Sequence, residues 1–284
     1  MKNFFSVFGI IVIFLVCFLF AEKTELVLKN MDEIMIKIKE NKDYGKVETI
    51  SPIINGKDII LGISGQKINI NKSYSNMKRI GYYKETLLEY QKIRPKISIE
   101  NNFDYYIIDG NQKKNIINII ILVKKDISIK KVETILEIAK VKNIKLNFFI
   151  DGHFFEKNNE LINKIVINGH EIGSLGYNHD YKDSSFIWMN TIIKKLTNKN
   201  YGYCYLEKED SSSHKICSLY KNYVIKPKII INKNYFLETK KVVDKNTIIS
   251  YEIKEDFDRE LVLIINYIKA KGKEIETLKK LIDE

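Results

Sequence analysis

Proline is scarce in this chain: three among 284 residues, with only 13 glycines. A long disordered linker is enriched in such residues, so none is expected. Arginine-rich blocks are absent, and the net charge of +11 comes mostly from lysines set singly or in pairs. Such a surface is solvated and can attract anionic lipid, nucleic acid or an anionic wall polymer. Nucleic acid is not expected as a partner, because the aromatic residues do not sit among clustered basic ones as stacking platforms. There is no Gly-x-Ser-x-Gly elbow and no convincing Cys–His pair, which argues against a serine or cysteine hydrolase. Cysteine is limited to Cys17, Cys204 and Cys217.

What is present begins with an apolar run. Phe4 to Phe20 is almost wholly apolar, with Lys2 before it and Glu22, Lys23 and Glu25 after it. Its length is generous for a signal-peptide core and short for a membrane span. Positive charge on its N-terminal side directs the rest of the chain outward. Ala21 fits the position before a cleavage site, whereas Leu19 fits poorly two residues earlier. Residues 1–21 therefore read as a signal anchor or a signal peptide. Either one places the remainder outside the cytoplasm, with membrane contact through residues 4–20. In that oxidising setting Cys204 and Cys217 either close a loop or remain two buried thiols. The bond would stabilise by about 2–3 kcal/mol on the loop-entropy model.

An apolar content of 45% supports one sizeable domain and an appendage. From 22 to 111 the pattern is irregular. Asp58 to Ile63 reads as a buried strand and Lys67 to Asn71 as an exposed one. Ser73 caps a short helix ended by Gly81, and Tyr82 to Tyr90 makes another. This stretch is expected to be an N-terminal accessory region. From 112 to 284 the rhythm changes. Ile116 to Val123 is a buried strand broken by Asn118. Ser128 caps a helix with Val132, Ile135, Leu136 and Ala139 on one face. Ile144 to Ile150, Val224 to Ile231 and Thr247 to Tyr251 are further strands. Leu261, Ile264, Ile265 and Ile268 form a helix stripe ended by Gly272. Strands alternating with helices predict an α/β layout with a mainly parallel sheet or barrel.

The stretch from Asn147 to Asp180 is more specific. Asn147-Phe148-Phe149-Ile150-Asp151-Gly152 precedes a helix-like run. Then comes Gly169-His170-Glu171-Ile172-Gly173-Ser174-Leu175-Gly176-Tyr177-Asn178-His179-Asp180. That order resembles the middle of the polysaccharide deacetylase, or NodB-homology, family, and the resemblance runs from about Ile116 to Glu284. It implies a distorted (β/α) barrel with its site at the C-terminal ends of the strands. It also implies removal of acetyl groups from N-acetylated sugars of cell-wall polymers. In the family a divalent metal, usually zinc, is held by one Asp and two His beside an Asp base.

Set on the family's motifs, the chain departs from them. The Thr-Phe-Asp-Asp-Gly motif falls on Leu122-Val123-Lys124-Lys125-Asp126. Lys124 and Lys125 then take the two aspartate places; one residue along, Asp126 takes the metal-binding place and Lys125 that of the base. Leu175 falls on the first metal histidine and His179 on the second. Tyr203 or Cys204 replaces the Arg-Pro-Pro-Tyr-Gly-like motif, and Tyr251 stands where an acid histidine is expected. One imidazole does not hold zinc, which takes three protein ligands in catalytic sites. The resemblance therefore implies a pseudoenzyme with no cofactor, binding or scaffolding cell-wall glycan. Tyr177 and Tyr181 are candidate sugar-stacking faces, and Trp188 is expected in the core. The alternative is an active zinc deacetylase with ligands relocated among Asp151, His153, Asp180, Asp183 and His214 beside His179.

Overall fold

The computed structural model describes residues 32–181 and 184–283, with isolated positions between 14 and 28. The expected membrane segment at 4–20 thus lies largely outside the described residues. Among those described, no helix is long and apolar enough to cross a membrane. The chain divides into two compact units, Met1–Thr49 with Ser64–Ile93, and Ile50–Ile63 with Arg94–Glu284.

The smaller unit holds helices Glu33–Glu40 and Ile70–Lys78 and an antiparallel pair, Gly65–Ile68 with Tyr90–Ile93. Ile34, Ile38, Ile68, Met77 and Leu88 form its core. Its second helix starts before the expected serine cap. Asn69 accepts the Lys72 N–H, while Ser73 is buried a turn further on and accepts from the Glu89 N–H. Tyr82 to Tyr90 is not a helix, since one 3-10 turn at Glu85–Leu87 leads into the strand.

In the larger unit, β1 (Ile53–Asn55), β2 (Asp58–Ile60) and β3 (Tyr106–Asp109) precede β4 (Ile116–Val123). Next come α1 (Ile129–Val141), β5 (Asn147–Ile150), α2 (Gly152–Lys157), α3 (Asn159–Ile167) and β6 (Glu171–Ser174). They are followed by α4 (Ser184–Thr197), β7 (Gly202–Tyr205), α5 (Ser211–Leu219), β8 (Asn222–Ile225) and β9 (Ile230–Ile231). The remaining elements are α6 (Tyr235–Val242), β10 (Ile248–Glu252), α7 (Phe257–Ala270), β11 (Glu274–Ile275) and α8 (Leu278–Ile282). The sheet order is β1-β2-β3-β8-β7-β6-β5-β4-β10-β9, with β11 beside the start of β4. Only β1 with β2 is antiparallel. The expected barrel is an open, curled half-barrel with β1 and β9 at its edges.

Two expectations shift. β2 pairs with β3 and β3 with β8, so residues 53–60 and 106–109 belong to the large sheet, not to an accessory region. The strand expected at Asp58 to Ile63 is present as β2, but β1 and β3, of three and four residues, are too short for periodicity to declare them. The run from Val224 to Ile231 is two strands, because Pro227 between them has no N–H to offer a ladder.

Pleat parity decides which side chains reach the site. Ile117, Ile119, Ile121 and Val123 of β4 pack under the helices with Val132, Ile135, Leu261 and Ile264. Ile120 and Leu122 point into the concave interior with Phe149, Leu175, Tyr203, Tyr205 and Ile248. Strand side chains alternate with period 2. On β10, Ser250 and Glu252 therefore share the interior face of Ile248, while Ile249 and Tyr251 lie with the helix-side cluster. Full burial of one such isoleucine contributes about 1.5–3 kcal/mol, so a register slip of one residue is strongly disfavoured.

Two buried polar residues tie the curl together. Asp109 ends β3, and its Oδ1 accepts from the N–H groups of Gly110, Thr247 and Ile248 and the Thr247 hydroxyl at 2.7–3.2 Å. Asn147 donates to the Ile119 carbonyl and accepts from the Leu278 N–H, joining β5, β4 and α8.

Candidate functional site

Parallel pairing brings the C-terminal ends of β4, β5, β6, β7 and β10 to one rim. Lys124 follows β4 in phase with Leu122 and so turns inward. Its Nζ lies 2.9 Å from Glu252 Oε1 and 3.9 Å from Glu207 Oε1. Glu252 is the last residue of β10, and Glu207 follows β7. Beneath this triad, Ser250 and Tyr205 are buried on the interior face. Burial pushes the Tyr205 phenol well above its ordinary range, and the charges of Glu207 and Glu252 add to the effect. The rim thus centres on an ammonium held by two carboxylates.

Lys125 and Asp126 lie exposed in the turn after β4, so of the three motif positions only Lys124 faces the interior. Leu175 is buried in the interior cluster. His179 occupies the tip of a tight turn in which Tyr177 and Asp180 exchange backbone hydrogen bonds of 2.9 and 3.0 Å. Asn178 and His179 both take positive φ, 52° and 65°. Gly176, at φ +68°, approaches the Asp180 carbonyl so closely that a Cβ would sit 2.5 Å from its oxygen. His179 itself is exposed.

The relocated-ligand candidates do not converge. Asp151 is buried, with Oδ1 accepting the His153 N–H and Oδ2 the Asn178 N–H at 2.8 Å. The His153 ring packs edge to face on Tyr177. His214 is buried elsewhere, against Tyr106 at 4.4 Å between ring centroids. Asp180 is exposed, and Asp183 lies outside the described residues. Among the described residues, no group of three or more His, Cys, Asp or Glu is placed to hold a metal ion. The residues at the motif places do not fit zinc, since an ammonium and a leucine side chain take two of them and His179 alone offers a donor.

Several expected roles change. Tyr251 is buried on the helix side of β10, with its hydroxyl 2.8 Å from Thr239 Oγ1. Glu252, one residue later, is the side chain that reaches the rim. Tyr203 is buried in the interior, with the Lys199 ammonium 5.4 Å from its ring centroid. Tyr181 is fully buried, its hydroxyl within hydrogen-bond distance of the Ser174 and Tyr205 carbonyls. Tyr177 is also buried and donates to Glu156 at 2.8 Å. Neither ring presents a face to a sugar. Trp188, expected in the core, is 45% exposed on α4 with its ring perpendicular to that of Phe155. Cys204 and Cys217 form a disulfide joining β7 to α5. His170 is a buried packing residue whose Nδ1 accepts the Leu146 N–H. Burial, helped by the Lys145 charge, pushes its pKa down to about 4. Glu252 and Glu207 were missed from the sequence; Ser250, a polar residue in phase with Glu252 within an apolar strand, was the available signal.

Residues 120–204 match the family model described as polysaccharide deacetylase. The chain is 33% identical over 141 residues to YlxY, an uncharacterized protein of Bacillus subtilis (strain 168). That match covers 50% of this chain and 43% of the relative, so the chain spans less than half the length of this curated relative. In structure the chain is similar to BA3943, a CE4 family pseudoenzyme from Bacillus anthracis. The TM-score is 0.66 at 18% identity, over 89% of this chain and 96% of that one. A BA3943 mutant described as having restored enzymatic activity gives 0.65 at 18% identity, over 89% and 99%. At such identities the likeness shows the fold alone.

Proposed function

We propose that this degenerate member of the polysaccharide deacetylase family is a non-catalytic, extracytoplasmic module that binds cell-wall glycan. The observation that carries the reading is Lys124. Its ammonium is paired with Glu252 and Glu207 on the rim where the family's chemistry needs a metal and a base. Two unit positive charges 4 Å apart repel by about 4 kcal/mol at an effective dielectric of 20, and a divalent ion doubles that. Amide hydrolysis by the family's route needs a polarised carbonyl and a base for water. Lys124 and Leu175 supply neither.

What remains at the rim is suited to binding. On the helix layer, Trp188 is a partly exposed aromatic side chain of α4 packed edge to face on Phe155 of α2, and aromatic faces stack on apolar sugar faces. Glu207 and Glu252 are acceptors for sugar hydroxyls. Export through residues 1–21, with membrane contact at 4–20, would bring the rim to the wall.

The test joins three measurements on the purified full chain: zinc content, acetate release from N-acetylglucosamine oligomers, and retention on peptidoglycan. The expected result is little zinc, no acetate, and retention that falls at least several-fold in Trp188→Ala. Stoichiometric zinc with acetate release would establish the relocated-ligand deacetylase instead. A lack of retention would remove the glycan role.

A further inference from the structure

The end of the half-barrel opposite the rim carries a second feature, independent of the reading above. There, around the C-terminal end of α4, a cavity of about 820 Å³ is lined by Lys194, Lys195, Lys199, Tyr201, Tyr220 and Lys279 among others, and by no carboxylate. Lys199 is balanced by Glu171 at 2.9 Å, and its ammonium lies 5.4 Å from the centroids of Tyr201 and Tyr203. Lys194 is half-buried and donates to the Tyr220 carbonyl. Burial, with the nearby Lys221 charge, pushes the Lys194 pKa down. Lys195 and Lys279 stand exposed and form no ion pair among the described residues.

We infer that this cavity binds a phosphate ester. Here Lys194, Lys195 and Lys279 line one open depression with no carboxylate in its lining, which raises the local positive potential. The lining has no arginine, so an anion there meets lysine point charges, which serve a phosphate without a planar fork. The volume exceeds that of one phosphate and lies in the range of small-molecule sites. Asn198, Asn200 and Tyr201 add hydrogen-bonding groups for a hydroxylated carrier such as glycerol or a sugar.

The experiment is calorimetric titration of the full chain in neutral detergent at low salt. The probes are glycerol 3-phosphate, glucosamine 6-phosphate and micelles doped with phosphatidylglycerol, with N-acetylglucosamine as the uncharged control. The double variant Lys195→Gln with Lys279→Gln removes two exposed cations without touching the core. It should weaken phosphate binding roughly tenfold, while Lys130→Gln with Lys140→Gln, the same charge change on α1, should not. Saturation by the soluble esters assigns a free or polymeric phosphate, and saturation by doped micelles alone assigns a lipid headgroup. Either supports the inference when only the first double variant weakens it. Failure of every phosphate probe, or equal loss in both double variants, overturns it. These outcomes are distinct from zinc content and acetate release at the rim.

Discussion

His179 falls on a metal-histidine position of the family by resemblance, and its backbone makes a test of what it does. A non-glycine residue in the left-handed region costs about 1–2 kcal/mol, and His179 sits there at φ 65° on an exposed turn. Its neighbour Asn178 also has positive φ, at 52°, and Asn-Gly is the favoured pair for a two-residue turn of this kind. His179→Gly removes the strain and no buried contact. Glycine's extra freedom in the unfolded chain offsets about 0.5–1 kcal/mol, leaving a net gain of up to about 1.5 kcal/mol. His179→Ala takes away the imidazole but keeps the strain, so its stability should stay within about 0.5 kcal/mol of the parent. Urea unfolding of all three proteins, with zinc and with a chelator, separates the readings. A turn residue gives one stabilised and one neutral variant, both indifferent to zinc. If zinc protects the parent and neither variant, the imidazole is a ligand and the pseudoenzyme reading fails.

Two further predictions concern the fold. His170 is neutral in both states above pH 6.5, but below it the unfolded chain takes a proton that the folded chain refuses until about pH 4. Stability should therefore fall as pH drops through that window, by about 3 kcal/mol from this group. His214 is also depressed by burial and acts with the same sign, so the comparison needed is against His170→Gln. An unchanged slope between pH 7 and 4.5 in that variant would remove burial of His170 as the cause. Reducing the Cys204–Cys217 disulfide should lower stability by about 3 kcal/mol on the loop-entropy model. A thiol titration of the unreduced native protein that finds both sulfurs reactive would contradict the bond.

The sheet's central strands were legible because each carries enough apolar residues to set a pattern. Ile116 to Val123 reads directly as β4, and the Asn118 and Asn147 interruptions become understandable only as ties to neighbouring elements. β1, β2 and β3 were not legible as sheet members, since they join the large sheet only through β3, whose partner β8 lies more than a hundred residues away. At the site, motif alignment located the right loops but missed pleat parity by one residue. Tyr251 and Glu252 are adjacent in sequence and face opposite sides of β10. Only the packing of Ile249 against the helices and Ile248 in the interior decides between them. The aromatic candidates failed for a similar reason: a tyrosine can fill a core when its hydroxyl finds a carbonyl, as Tyr181 does. A tryptophan beside Phe155 can equally remain half outside.

On the proposed non-catalytic reading, the departures at the rim act by two different means. Lys124 acts electrostatically, as a tethered cation that satisfies Glu252 and Glu207 without a bound ion. Replacing it by Asp alone would put a third carboxylate beside those two with no counter-charge, which destabilises the rim unless a metal arrives. Leu175 acts by packing, since it is buried with Phe149 and Tyr205 in the interior cluster. A histidine there would bring an unpaired polar ring into apolar surroundings, at about 1–3 kcal/mol. Each reversion is therefore unfavourable alone, and only together can they share a ligand with His179. Metal binding would then contribute directly to folding free energy. Lys124→Asp with Leu175→His should consequently be less stable than the parent in chelator and regain stability in zinc, with a midpoint that rises with zinc concentration. If the double variant is equally stable in both, the rim cannot assemble the three-ligand geometry, and the departure from the family's pattern extends beyond the motif residues into the backbone of the 177–180 turn.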